Sequence, residues 1–188
     1  PAGTTLLGTQ SLPTDVGGGE MDICGLERRY DVDGTTLTLT NDNVYTPQSG
    51  FPGTYIGNGD AADGDTTNDV AVRLVIEQGT LFVGAQQEAL IITRNSEIEA
   101  IGTAEDPIVM TSQDQLDTWV AGGDGTSGRG EWAGVALMGY ARSNECGNPC
   151  DVNAEGNIGA YGGTDDNDGS GTLRYVVRSE EHTSELQS

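Results

Sequence analysis

LVIEQGTLFVGAQQEALIITRNSEIEAIGTAEDPIVMTS, residues 74–112, is the stretch on which the fold turns. Apolar residues recur two apart in Leu74–Ile76, Leu81–Val83, Leu90–Thr93, Glu97–Ala100 and Ile108–Thr111, the mark of short strands. The starts Leu74, Leu90 and Ile108 lie 16 and then 18 residues apart, a period that predicts one coil of a solenoid. Gln78–Gly79 and Asn95–Ser96 fall in the turns, and because Gly and Asn accept positive φ at low cost, the two coils are expected to turn alike. Leu74, Leu90, Ile108, Val135 and Leu173 are then expected in one inward row. A single coil cannot bury its apolar side alone, so neighbouring coils must supply the stability.

Working outward, Val135-x-Leu137 and Leu173-x-Tyr175-x-Val177 repeat the alternation after longer excursions, which are loops of the kind that form binding faces in solenoids. Upstream, Thr36–Thr40 (TLTLT) puts Leu37 and Leu39 inward and three threonines outward. The reading is all-β: a linker or cap over 1–34, then a right-handed parallel β-helix, a solenoid, over 35–177. An antiparallel sandwich also has short alternating strands, but the spacing here is too short for its hairpins. The final residues 178–188, RSEEHTSELQS, resemble a translated sequencing adapter and are set aside, and with them His182, the one histidine. Together with a start at Pro1 in place of Met, this tail predicts a truncated fragment, open at both ends.

The formal charge is −22, from 30 acidic and 8 basic residues, and every basic residue is Arg. Acid excess without Lys is the pattern of proteins that stay hydrated in molar salt, where the Debye length is about 3 Å and self-repulsion is screened. A halophilic source is expected, with an ordinary acidic secreted protein as the alternative. So negative a surface argues against nucleic acid or anionic membrane as partners. No run of about 18 apolar residues is present to span a bilayer.

Two acidic loops offer oxygen ligands. Asp60, Asp63, Asp65 and Asp69 read as a solvated loop, since Gly64 and Thr67 fall where an EF-hand needs ligands. Asp165, Asp166 and Asp168, in GGTDDNDGSG, are the better Ca²⁺ candidates, although the fold requires no cofactor. Cys146 and Cys150 bracket GNP in a tight loop suited to a local disulfide, which leaves Cys24 over. Residues 113–131 read as a long Gly-rich loop lacking the Lys of a phosphate-binding loop. Trp119, Tyr140 and Arg142 are candidate ligand-binding residues, the aromatics by stacking on sugar rings, whereas Trp132 reads as core.

The segments Gly102–Ser112, Arg129–Ala141 and Gly169–Val177 resemble, in this order, the strands of a group of uncharacterised bacterial secreted or surface proteins with a right-handed parallel β-helix. The chain departs from that group in carrying Asn95 and Ala133 where Gly is usual. The resemblance supplies no catalytic residues; it implies an extracellular or cell-surface scaffold, structural or adhesive, with polysaccharide or other surface components as partners. The competing expectation is a pectate-lyase-like enzyme, with a polysaccharide lyase or hydrolase activity. It would need clustered carboxylates plus an Arg or Tyr in one groove, for which Arg129, Tyr140 and Arg142 are the candidates. No nucleophile, base or metal triad stands out, so the non-enzymatic reading leads.

Overall fold

The computed structural model describes residues 3–13, 18–48, 50–58, 69–123, 130–139, 152, 153, 160, 161, 171–174 and 176–178. Its strands are β1 (Thr4–Leu12), β2 (Gly19–Leu26), β3 (Arg29–Tyr30), β4 (Thr35–Leu39), β5 (Asn43–Pro47), β6 (Gly53–Ile56), β7 (Val72–Ile76), β8 (Leu81–Gly84), β9 (Ala89–Ile92), β10 (Glu97–Ile101), β11 (Ile108–Ser112), β12 (Gly134–Leu137), β13 (Val152–Asn153), β14 (Ala160–Tyr161), β15 (Gly171–Arg174) and β16 (Val176–Arg178). One helix, α1 (Gln113–Val120), follows β11. The protein is all-β in character, and three sheets carry the fold. The first runs β1-β2-β5-β8-β11-β16, the second β4-β7-β10-β15 and the third β3-β6-β9-β12. Apart from β1 on β2, every pairing in these three sheets is parallel.

This topology corrects the expected inward row. Along the chain the strands from β2 to β12 join the first, third and second sheets in turn, so Leu74, Leu90 and Ile108, each two strands on from the last, fall in three different sheets. Leu74 therefore stacks between Leu37 and Ile98 in the second sheet, and Leu90 between Thr54 and Val135 in the third. Ile108 pairs with Val176 in the first, and Leu173 lies beside Ala100 in the second. Gly79 and Asn95 do adopt positive φ, 74° and 62°, but they turn different corners, β7 to β8 and β9 to β10. Asn95 suits its corner because its side-chain amide donates to the Asp69 carbonyl at 2.9 Å.

Inside the three sheets lies one apolar core. Leu37, Leu39, Leu74, Ile76, Ile98 and Ala100 come from the second sheet; Tyr45, Phe82 and Met110 from the first; Ile56, Leu90 and Ile92 from the third. Each fully buried side chain of this size contributes about 1.5–3 kcal/mol. Trp132 is buried as expected, its ring 5.9 Å from that of Phe82 and packed flat on Gly84, where a Cβ would sit 2.4 Å from the indole.

Residues 3–13 and 18–34 contribute strands to the sheets. Leu26 is fully buried, and β2 and β3 pair with β5 and β6. The thiol of Cys24 is free and buried, the Sγ donating to Asn43 Oδ1 at 3.5 Å. Tyr30 ties the start of β1 to this end of the stack: its hydroxyl accepts from the Glu27 N–H at 3.0 Å and donates to the Gly3 carbonyl. Burial, against the lowering effect of the Glu27 N–H, pushes the Tyr30 phenol up from 10.0 to about 12. An unfolded tyrosine loses its proton first, so the native state is favoured in full below pH 10.0, and this contribution disappears as pH rises through about 12. Tyr30→Phe is expected to cost about 1 kcal/mol at neutral pH. Its urea midpoint should then fall less than that of the wild type across the alkaline window, which a denaturation series checks.

Candidate functional site

Two of the three sheets have their outer faces covered. On the first, α1 lays Leu116 and Trp119 against Val44, Leu81 and Val83. On the third, Met138 and Tyr161 pack against Tyr55, Ala89 and Ile91. This is why β8 and β9 are buried at every position, whereas β7 and β10 alternate. The helix corrects the expected loop over 113–131: Ser112 caps it, its Oγ accepting from the Gln115 N–H at 3.1 Å. Trp119 is accordingly half-buried in an apolar cluster.

Among the described residues the outer face of the second sheet stays open. Parallel register sets Thr36, Arg73 and Glu97 in one row and Thr38, Val75, Glu99 and Thr172 in the next. Arg73 sits between the acids: its Nε lies 3.0 Å from Glu97 Oε1, and its terminal nitrogen bonds Glu99 Oε2. All three side chains are solvent-facing, at 48%, 54% and 39% exposure. Exposed pairs of this kind contribute only about 0–1 kcal/mol, so stability gives little reason for the arrangement. It offers a flat surface of alternating donors and acceptors instead. Glu97 and Glu99 stand two residues apart on one strand, their Cα atoms about 6.6 Å apart by strand rise. Both are engaged by the one guanidinium of Arg73.

Sequence reasoning did not single out these residues, because Arg73 meets Glu97 and Glu99 only once the pairing of β7 with β10 is known. Of the residues it did single out, Tyr140, Arg142, Cys146, Cys150, Asp165, Asp166 and Asp168 lie outside the described residues, as do Arg129, Asp60, Asp63 and Asp65. Asp69 departs from the solvated reading. Its side chain is 3% exposed and pairs with Arg94 Nε at 3.6 Å, at the corner where the Ser96 hydroxyl donates to the Val70 carbonyl and accepts from the Val72 N–H. Among the described residues no group of three His, Cys, Asp or Glu side chains is placed to hold a metal ion, and no helix is long and apolar enough to cross a membrane.

No curated protein and no solved structure matches the chain. A family model described as a pectate-lyase-like β-helix domain matches residues 61–183, which takes in β7 through β16 and all but the first strand, β4, of the open face. With most of its length matched, the chain belongs to the pectate-lyase-like β-helix domain family.

Proposed function

We propose that the three sheets wind as one right-handed parallel solenoid, exported to the cell exterior or surface, that binds a polysaccharide along the open face of the second sheet without cleaving it. The observation that carries this reading is the Arg73 bridge to Glu97 and Glu99 on the one sheet face left uncovered among the described residues. Rows of hydroxyl, guanidinium and carboxylate along a flat face suit the donors and acceptors of an extended sugar chain. A charge of −22 favours a neutral glycan over an acidic one, since an anionic polymer would be repelled unless cations bridge it. The charge likewise opposes nucleic acid as a partner.

Titration calorimetry of the full chain against neutral glycans tests this. Arg73→Ala is expected to weaken binding about tenfold while changing stability by less than about 1 kcal/mol. Unchanged affinity in that variant would move the site elsewhere. The second reading, a carbohydrate-active enzyme, draws on the family description and keeps Tyr140 and Arg142 as its candidate residues. Release of reducing ends or unsaturated products from an acidic polysaccharide, abolished by Arg142→Ala, would establish it in place of the binding module.

A further inference from the structure

Among the described residues only the first sheet carries a strand beyond β2, β3 and β4; the second sheet ends at β4 and the third at β3. β2, β3 and β4 lie beyond β5, β6 and β7, and β1, which precedes them in the chain, folds back antiparallel onto β2 alone. Among the described residues β4 therefore pairs on one side only, with β7. The Leu39 carbonyl accepts from the Glu77 N–H at 3.0 Å, so Leu39 faces β7. Alternation along the strand then turns the N–H and C=O groups of Thr36 and Thr38 toward the unpaired side.

At the end of that edge opens a cleft of about 510 Å³ lined by Leu6, Asp22, Cys24, Thr40, Asp42 and Asn43, among others. Leu6 stands at its mouth, 63% exposed, and Cys24 is buried at 4%. Asp22 accepts from the Thr9 hydroxyl at 3.1 Å, and Asp42 accepts from the side chains of Thr40 and Asn43. None of the residues lining the cleft is basic. The place combines an unpaired strand edge, an apolar wall and two carboxylates without a cation beside them.

We propose that this edge takes an extended peptide from another protein as an added strand, with apolar residues set toward Leu6 and a basic residue meeting Asp22 and Asp42. Strand addition satisfies the edge groups by main-chain hydrogen bonds, and alternate side chains supply specificity. Charge complementarity selects the occupant. A second copy of a chain with a charge of −22 is repelled, and a basic strand is attracted. The edge of the sheet is separate from its outer face, so this site stands or falls independently of glycan binding.

The probe is a fluorescently labelled peptide alternating valine and arginine, titrated against the full chain by polarisation. It is expected to bind, to lose about tenfold in affinity to the Asp22→Asn/Asp42→Asn double variant, and to be outmatched by no peptide alternating valine and glutamate. Amide exchange gives a readout that does not depend on the variant folding well: the Thr36 and Thr38 amides should slow on binding. No binding, equal affinity for the glutamate peptide, or binding that leaves both amides unchanged overturns the proposal. Protection of the same amides that grows with protein concentration alone, together with a dimer by light scattering, would assign the edge to a second copy and also overturn it.

Discussion

Gly53→Ala is expected to remove about 3–5 kcal/mol of stability, read as the unfolding free energy from urea denaturation. Gly53 opens β6 with φ 118°, a region that side chains rarely adopt. It pairs with Ala89 across the third sheet, and a Cβ built there would lie 2.1 Å from the Ala89 carbonyl oxygen and 2.4 Å from its nitrogen. Neither neighbour can yield, because both belong to the ladder: the Ala89 N–H donates to the Pro52 carbonyl at 2.7 Å. The clash thus separates two coils where they are stitched together. Gly34→Ala is the control. Gly34 has φ 71°, and nothing lies within 4 Å of its absent Cβ. That substitution meets only the left-handed backbone penalty of about 1–2 kcal/mol. Equal costs at the two positions would mean that β6 and β9 do not approach as closely as the register requires.

The strands could be read from residues 74–112 because period-two alternation is a local property, and each of the five expected there has an observed counterpart. What pairs with what is a long-range property. The apolar starts are spaced alike, and nothing in Leu74, Leu90 or Ile108 tells which of the three sheets each strand joins. The unequal insertions hide the true period further. Leu37 to Leu74 spans 37 residues and Leu74 to Ile98 spans 24, although both steps join neighbouring strands of one sheet. Helix α1 was hidden for another reason: QDQLDTWV has only Leu116, Trp119 and Val120 to bury, and its content is otherwise polar. The Ser112-x-x-Gln115 capping signal was present and marks its start.

The open face was the least legible feature. Glu97-x-Glu99 and the threonines of TLTLT each look like ordinary solvent-facing positions, and their meaning depends on which other faces are covered. Leu116 and Tyr161 do that covering, and they reach their places through excursions whose destination no local pattern encodes.

Raising NaCl from dilute buffer to molar concentration is expected to lift the Tm by about 5–10 °C, which for a chain of this size corresponds to a few kcal/mol. The cause is the charge of −22, with 30 acidic residues against 8 arginines. In dilute buffer the Debye length is about 30 Å, so charges across the whole protein repel one another. In molar salt it falls to about 3 Å, and only close pairs still interact. The buried Asp69–Arg94 pair is shielded by the protein and should be affected little, whereas the exposed Arg73 bridges to Glu97 and Glu99 weaken. That loss is small beside the relief of repulsion summed over the surface, so the net change is stabilising. Calcium separates a second effect. If Asp165, Asp166 and Asp168 bind Ca²⁺ in the native state, millimolar calcium adds RT ln(1 + [Ca²⁺]/Kd) beyond an equal ionic strength of NaCl. Differential scanning calorimetry across the NaCl series, with and without calcium, resolves both. A Tm that stays flat with NaCl would defeat the halophilic reading, and superimposed curves would defeat the calcium site, while neither result touches the pairing of the three sheets.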